Sequence, residues 1–375
     1  MDFEFTEDQI SLRDAVARWV EKGFSFERRH ALAKAGGATR AVYGELSDLG
    51  LSGVAIAEDH GGLGFGPVEA MVVAEELGRG LVNAPFANAA LVAPLLLAAA
   101  PAELQKAWLP RMASGQALVV LAHQERAARY RLNHVTTRAT QSASGWMLTG
   151  AKSLAPAGDE ADAFIVPART AGADGDAQGI ALFLVERAAA KVHGYPTQDG
   201  ARAADITLQA TPASLIAAEG HTLLEHAVDV AIAAQCAEAV GLMDRLVAIT
   251  VEYMNTRKQF GVAIASFQAL RHRMADVKMQ LELGRSMSYF ASLKLREPAP
   301  QRRRAISQAR VQLGNSMRFV GQQCIQLHGG IGMTDEYIAS HYFKRLTMLE
   351  LSFGDTQHHL GEVSARMQDT AGVFA

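Results

Sequence analysis

The hydrophobic pattern of this chain changes its period twice, and this change limits the folds that are open to it. Up to about residue 115 the apolar residues recur at helical spacing, whereas between residues 117 and 214 they fall in short, β-rich runs. From about residue 220 helical spacing returns and continues nearly to the end. We therefore predict an α+β protein with an N-terminal helical domain at residues 1–116, a middle β-domain at 117–214 and a C-terminal helical bundle at 215–375.

The middle region consists of segments rich in β-branched and aromatic residues, separated by turn residues. Strands are predicted at residues 117–122, 135–140, 145–150, 163–167, 180–185 and 204–208. Residues 171–179 are rich in glycine and show no periodicity, which predicts a long hairpin loop. Pro212 lacks a backbone donor and is predicted to close the domain.

The flanking regions carry helix signals of their own. Thr6 and Gln9 have capping-box spacing at the start of the first helical pattern. Residues 223–249 trace one long apolar face, in which Gly241 and many alanines allow close helix packing. A later helix is predicted from about Arg302 to Leu327, and a helical bundle of this size is typical of a large oligomer interface.

Composition excludes several classes of protein. The chain has 36 basic and 39 acidic residues, a balance that argues against a nucleic-acid or membrane-surface partner. The longest apolar run, residues 84–100, contains Asn88 and Pro94 and is shorter than a membrane helix of about 20 residues. No signal or transit peptide is visible, and the two cysteines lie inside apolar helical patterns. We expect a reduced, cytoplasmic protein.

The most specific segment is residues 253–268, which reads YMNTRKQFGVAIASFQ. Tyr253 and Arg257 are four residues apart and share a helix face, Gly261 then interrupts the pattern, and Ser266 is predicted to N-cap the next helix. Arginine presents a planar fork that grips a pyrophosphate in two places. The segment therefore predicts an anion site at a joint between two helices.

This segment resembles the YxxxRxQFGxPIxxFQ signature of the acyl-CoA dehydrogenases, with Ala263 in place of the proline. A second run, QLHGGIGM at residues 326–333, resembles the Q-x-x-G-G-x-G of the same family. Glycines at a helix end let a ligand approach the backbone. The order of helices, β-barrel-like domain and helical bundle also agrees with that family over essentially the whole chain.

The resemblance implies that both segments bind the dinucleotide tail of FAD, seated mainly in a neighbouring subunit. It carries a cofactor role to eight residues, namely Arg257, Gln259, Phe260, Phe267, Gln268, Gln326, Gly329 and Gly330. The implied reaction is α,β-dehydrogenation of an acyl-CoA thioester, with FAD as cofactor and an electron-accepting flavoprotein as partner if the chain is catalytic. No residue pattern specifies the acyl chain.

The carboxylate base of the family has no counterpart at its usual places. The motif E-G-T matches residues 353–355, so that Phe353 stands where the glutamate belongs. The alternative base position, on the helix before Arg257, falls on Ala231. Phenylalanine and alanine cannot accept a proton, and the catalytic base is therefore unknown.

Three other carboxylates are candidates. Asp229 lies on the same helix as Ala231 and matches an aspartate that the family often uses to contact substrate. Acting as the base is the less favoured of its two roles. Glu350 and Asp355 are weaker candidates. His358 and His359 lie near Asp355, but adjacent histidines on a helix diverge, and no metal site is predicted.

The β-domain also departs from the family pattern. Residues 121–130 lose the hydroxyl and acid of the family's A-L-T-E-P-x-A-G-S-D. Lys152 is kept from K-x-W-I-T-N-G-x-x-A-D, but Leu154 and Pro156 replace the tryptophan and threonine that cover and hydrogen-bond the flavin ring. The resemblance thus implies an intact half-site for the FAD tail and an altered one for the ring.

This combination is most similar to the group described as the small subunit of pimeloyl-CoA dehydrogenase, and it implies a homo-oligomer or a hetero-oligomer with a homologous subunit. In the leading interpretation the base or the flavin-ring site comes from that partner. The alternative is a non-catalytic scaffold subunit that completes the FAD pocket of its partner.

Overall fold

A computed structural model describes residues 4–37, 39–143 and 145–371 of the chain. Its order of elements confirms the predicted α+β architecture, with helices, then a β-barrel-like domain, then helices again. The N-terminal helices are α1 Glu7–Gly23, α2 Phe26–Lys34, α3 Thr39–Asp48, α4 Pro67–Arg79, a π-helix at Ala87–Val92, α5 Ala93–Leu97 and α6 Ala102–Ala113. The predicted capping box is present, because Thr6 Oγ1 accepts from Gln9 N and Gln9 Oε1 accepts from Thr6 N.

Among the described residues of the β-domain, seven strands form one sheet that closes on itself. They are β1 Val119–Leu121, β2 Arg138–Ser142, β3 Gly145–Pro156, β4 Ala163–Arg169, β5 Ile180–Glu186, β6 Lys191–Pro196 and β7 Arg202–Ala217. The path runs β1-β4-β2-β3-β7-β5, and β5 also pairs with β4, which completes the barrel. β4 is buried along its whole length, so the alternation of a half-exposed strand is absent there.

Pro212 does not close the domain, and that prediction was wrong. β7 continues through Pro212, which is paired with Met147, to Ala217. At Pro212 the strand has β3 on one side, while β5 pairs only from Ser214 onward and β6 only up to Thr207. A missing N–H is tolerated at such an edge position.

The hairpin loop predicted at residues 171–179 connects the antiparallel strands β4 and β5. Its backbone carbonyls converge on the buried guanidinium of Arg169, which donates to the carbonyl oxygens of Ala171, Asp174, Asp176 and Gln178. An internal cation thus holds a loop that has no periodicity of its own.

The C-terminal region is helical apart from a small hairpin. Its elements are α7 His221–Thr256, β8 Lys258–Gln259, β9 Val262–Ala263, α8 Gln268–Lys294, α9 Ala299–His328, α10 Ile338–Leu351 and α11 Thr356–Ala371. Residues 231–237 of α7 are all buried, so in this part the helix is buried on every side and not only along the apolar face that the sequence predicts. No helix among the described residues is long and apolar enough to cross a membrane.

Two compact units emerge from the contacts, and each combines segments distant in sequence. The helical unit comprises the residues up to Arg29, Pro67–Val82 and the residues from Ile232 on. The β unit comprises His30–Gly66 and Asn83–Ala231. The boundaries predicted at residues 116 and 214 follow the order of elements and stay a prediction.

Within the helical unit, α4 and α7 cross with backbone against backbone at two glycines. A Cβ on Gly241 would lie 1.8 Å from the Glu75 carbonyl oxygen and 2.7 Å from Arg79 N, and a Cβ on Gly78 would lie 2.1 Å from the Glu238 carbonyl oxygen. Because backbone atoms cannot move aside as a flexible side chain can, these positions require glycine.

Replacing Gly241 by alanine is therefore expected to destabilise the chain by about 1–3 kcal/mol or more, the usual cost of overpacking. Urea unfolding followed by circular dichroism measures this change. Gly361→Ala is the matched control, since Gly361 lies in α11 with open space around it, and it should be neutral or stabilising by about 0.5–1 kcal/mol. Equal effects of the two substitutions would contradict the close crossing.

Candidate functional site

The joint predicted at Arg257 is a tight hairpin after α7. Arg257 N donates to Tyr253 O at 2.8 Å, and Ile264 N donates to Arg257 O at 2.9 Å. β8 and β9 are joined by Phe260 and Gly261, whose φ angles of 53° and 83° are typical of a type I′ turn. The sequence signal for this turn is a glycine at its second central position.

Ser266 does not cap α8, and that prediction was wrong. α8 begins at Gln268 with Phe267 at the N-cap and no side-chain cap. Ser266 instead lies in a short 3-10 turn, where its hydroxyl donates to Ala263 O at 2.7 Å. A serine hydroxyl that donates to a nearby backbone carbonyl in this way competes with its use as a helix cap.

The second predicted segment forms the end of α9 and a 3-10 turn at Gly329–Met333. Gly329 has a φ of 64°, a conformation that favours glycine. A Cβ at Gly329 or Gly330 would meet no atom within 4 Å, so the backbone of both residues faces open space. A ligand can therefore reach their backbone atoms without hindrance from a side chain.

The structure brings the two segments together. The rings of Tyr253 and His328 have centroids 4.7 Å apart, and Leu327 packs with Met254 and Ile264 in one apolar cluster. The eight predicted cofactor residues are all exposed: Arg257, Gln259, Phe260, Phe267, Gln268, Gln326, Gly329 and Gly330.

Phe260 is 93% exposed, which is unusual for an aromatic side chain. Among the described residues, the Arg257 guanidinium makes no hydrogen bond or ion pair, and its five donors face solvent. These features are typical of a surface that is completed by a ligand and a neighbouring subunit. The cofactor role of the eight residues stays a prediction.

The turn around Phe353 is held by the protein itself. Phe353 has a φ of 55°, and its carbonyl oxygen accepts from His359 Nε2 at 3.1 Å. The buried Arg310 guanidinium donates to Ser352 O at 2.8 Å and to Gly354 O at 3.3 Å. Burial, together with Arg310, lowers the pKa of His359 to about 3, so this imidazole is neutral near pH 7. With so low a pKa His359 is a weak base, and neither it nor Phe353 is suited to take a proton from a substrate.

Both weaker candidates for the base, Glu350 and Asp355, accept hydrogen bonds within the protein. Glu350 Oε1 accepts from Thr356 N at 3.2 Å and from Thr356 Oγ1 at 2.8 Å, which caps α11. Asp355 Oδ1 accepts from His358 N at 2.8 Å in the same first turn. Asp229 is 2% exposed and Ala231 is 1% exposed, both on α7.

Leu154 lies at an irregularity of β3, where the register to β7 shifts between Lys152 and Ala155. Its φ is 54° and its side chain is 55% exposed. Its backbone N–H points to Tyr195 Oη and Asp205 Oδ1, each at 3.3 Å, and Tyr195 Oη donates to Asp205 Oδ1 at 2.8 Å. The backbone donor at this position is thus already used by the β-domain.

A buried ion pair lies beside this segment. Lys152 Nζ is 2.6 Å from Glu125 Oε1, and the same carboxylate accepts from the backbone N–H and hydroxyl groups of Thr136 and Thr137. Burial opposes ionisation, but Lys152 and these donors outweigh it and hold the pKa of Glu125 at about 2. The sequence analysis missed Glu125. A lysine among the mostly small and apolar residues of β3 was the available signal, because a buried charge requires a partner.

Two family models match the sequence in separate regions. Residues 6–116 match "Acyl-CoA dehydrogenase, N-terminal domain", and residues 218–368 match "Acyl-CoA dehydrogenase, C-terminal domain". The chain belongs to the acyl-CoA dehydrogenase family. Both signature segments, residues 253–268 and 326–333, lie within the match to the C-terminal model.

Similar proteins cover nearly the whole chain. The mitochondrial long-chain specific acyl-CoA dehydrogenase of Sus scrofa is 29% identical over 349 residues, 89% of this chain and 80% of that protein. The NADH-dependent acryloyl-CoA reductase of Anaerotignum propionicum is 24% identical over 378 residues, 96% of this chain and 94% of that protein. The solved structure of a Tcur3481-Tcur3483 steroid ACAD variant is 25% identical with a TM-score of 0.87, covering 98% of this chain and 99% of the other.

Proposed function

We propose that this acyl-CoA dehydrogenase family chain works in an oligomer in which it grips the tail of an FAD whose flavin ring lies in a neighbouring subunit. The proximity of the two signature segments carries the proposal, together with the exposed Arg257, whose side chain has no hydrogen-bond or ion-pair partner among the described residues. When bound, FAD supplies the acceptor for the hydride that leaves the β-carbon of an acyl-CoA thioester.

The chain's own residues have a binding role in this proposal. Arg257 holds the pyrophosphate through its fork, and Gly329 and Gly330 let the dinucleotide lie close to the backbone. Neither Phe353 nor Ala231 can take the α-proton, so the partner supplies the base in the favoured interpretation.

The partner is a second subunit of the same fold, either a copy of this chain or a homologue. Leu154 and Pro156 stand where the family holds the flavin ring, which favours a homologue whose ring site is intact. Similarity to proteins named for acyl-CoA substrates supports a CoA thioester as substrate. The small-subunit group of pimeloyl-CoA dehydrogenase is the finer assignment that we propose, with an electron-accepting flavoprotein as the redox partner.

We also propose a reducing, cytoplasmic location. Both cysteines, Cys236 and Cys324, are buried free thiols. Burial raises the pKa of each thiol to about 11, so neither carries a thiolate at neutral pH.

Replacing Asp229 by asparagine tests where the base lies. If the partner supplies it, the rate of flavin reduction by saturating acyl-CoA should stay within about threefold of wild type, while KM rises because a substrate contact is lost. Anaerobic stopped-flow absorbance at 450 nm measures this rate in the assembled oligomer. A fall of about 100-fold or more, the usual contribution of a general base, would instead assign the base to Asp229.

A second function, a non-catalytic scaffold subunit, is favoured by the residues that depart from the family pattern, namely Leu154, Pro156, Ala231 and Phe353. In that case the chain completes the FAD pocket of its partner and performs no redox step. Acyl-CoA added to the chain alone would then reduce no flavin. Flavin reduction in that preparation would exclude the scaffold function.

A further inference from the structure

His328 lies between the two segments that are proposed to hold the FAD tail. Its ring centroid is 4.7 Å from that of Tyr253 and 5.2 Å from that of Tyr337, and the residue is 3% exposed. Tyr253 belongs to the last turn of α7, four residues before Arg257, whereas His328 ends α9 immediately before Gly329. The His328 imidazole thus contacts the last turn of α7, which precedes Arg257, and belongs to the last turn of α9, which precedes Gly329.

Hydrogen bonding fixes the tautomer and orientation of this ring. His328 Nδ1 is 2.8 Å from the Cys324 carbonyl oxygen, which only accepts, so Nδ1 carries the proton and donates it. Nε2 then presents a lone pair, and this atom is buried without a hydrogen-bond partner among the described residues. Burial lowers the pKa of His328, which keeps the ring neutral and the arrangement intact near pH 7.

The far end of the glycine turn is held by a similar device. Arg29 Nη1 is 2.8 Å from His341 Nδ1, and His341 Nε2 is 2.9 Å from the Asp335 carbonyl oxygen. Arginine only donates, so Nδ1 accepts and the Nε2–H donates to Asp335, two residues beyond the turn Gly329–Met333. The segment that contains the exposed Gly329 and Gly330 is therefore held at both ends, at His328 before it and at Asp335 after it.

We propose that His328 is a positioning residue for the FAD tail, which sets the spacing between the Arg257 guanidinium and the backbone of Gly329 and Gly330. This inference rests on the proposed function, because it assumes that both groups hold one dinucleotide. The arginine follows α7 and the glycines follow α9, and His328 packs against the last turn of one helix while ending the other. Losing its ring would let the two helix ends move independently.

A double-mutant cycle on FAD binding tests this role. A tagged copy of the chain, isolated with any partner subunit it retains, is stripped of flavin and titrated with FAD as wild type, His328→Ala, Arg257→Gln and the double variant. His328→Ala should weaken FAD binding about tenfold or more, and the double variant should lose clearly less than the product of the two single losses. Independent, multiplying losses would overturn the proposal.

Two further variants separate positioning from mere stability. Leu313→Ala removes a buried side chain of α9 about four turns before His328 and outside both segments, and it should lower the thermal midpoint while FAD affinity changes little. His328→Phe keeps an aromatic ring but loses the bond to Cys324, and its FAD affinity should be intermediate. If FAD affinity tracks the thermal midpoint equally in His328→Ala and Leu313→Ala, His328 is merely structural. If the wild type binds no FAD, the proposed function fails first, and the positioning role falls with it.

Discussion

Arg257→Gln should weaken the binding of FAD to the assembled oligomer by roughly 10- to 100-fold, because two charge-assisted hydrogen bonds to a pyrophosphate are lost. The guanidinium is exposed and, among the described residues, has no protein partner, so its removal should leave folding unchanged. Equilibrium titration of the stripped oligomer with FAD, followed by flavin fluorescence, measures the effect. Thermal unfolding without flavin shows whether the fold is intact.

Two variants serve as controls for Arg257. Arg257→Lys keeps the charge but not the planar fork, and it should fall between wild type and Arg257→Gln. Arg296→Gln removes an exposed arginine beyond the end of α8 and should leave FAD affinity unchanged. Wild-type affinity in Arg257→Gln would remove Arg257 from the site, and a loss in both glutamine variants would point to general electrostatics instead.

Lys152→Met should destabilise the protein by about 3–5 kcal/mol, because it leaves the buried Glu125 carboxylate without its countercharge. Lys152 is fully buried and its Nζ lies 2.6 Å from Glu125 Oε1. Urea unfolding followed by circular dichroism at pH 7 gives the change in free energy of unfolding. The double variant Lys152→Met with Glu125→Gln should be less destabilised than Lys152→Met alone, since it buries no net charge.

The same pair predicts a dependence on pH. The pKa of Glu125 is about 2 in the folded protein, below its ordinary value of 4.5, so its ionised form stabilises the fold. This contribution is complete above pH 4.5 and is lost as the pH falls from 4.5 towards 2. Glu125→Gln should remove this part of the acid sensitivity.

Lys191→Met, at an exposed position of β6, is the matched control for Lys152→Met. It should change the free energy of unfolding little. An equal loss of stability in the two lysine variants would contradict the buried ion pair.

Hydrophobic periodicity was sufficient to predict the order of helices and strands, because packing of α7 and of β4 depends mainly on apolar burial. It was not sufficient for Pro212, whose tolerance depends on which neighbours β7 has at that point. Which strands pair with β7 at Pro212 is set by the tertiary fold and not by the local sequence. Local propensity likewise placed Ser266 at a helix cap, whereas the turn uses its hydroxyl internally.

The residues of the candidate site also fall into two groups, those that a local motif predicts and those whose role depends on distant parts of the chain. The cofactor role of Arg257 and of the glycines at 329 and 330 was predicted from short motifs and stays a prediction. His328 and Glu125 were missed because their roles depend on Tyr253, Tyr337, Thr136 and Lys152, which lie far away in sequence. A buried polar residue requires hydrogen-bond partners, but the sequence alone does not show which residues these are.

The amount of flavin per chain tests the central claim most directly, namely that this chain holds the FAD tail while the ring lies in another subunit. Absorbance near 450 nm and quantitative amino-acid analysis would be measured on the purified chain alone and on the complex with its homologous partner. We predict little or no flavin on the chain alone and one FAD per two chains in the complex. One tightly bound FAD per chain in the isolated protein would contradict this, and it would assign a complete site to this chain.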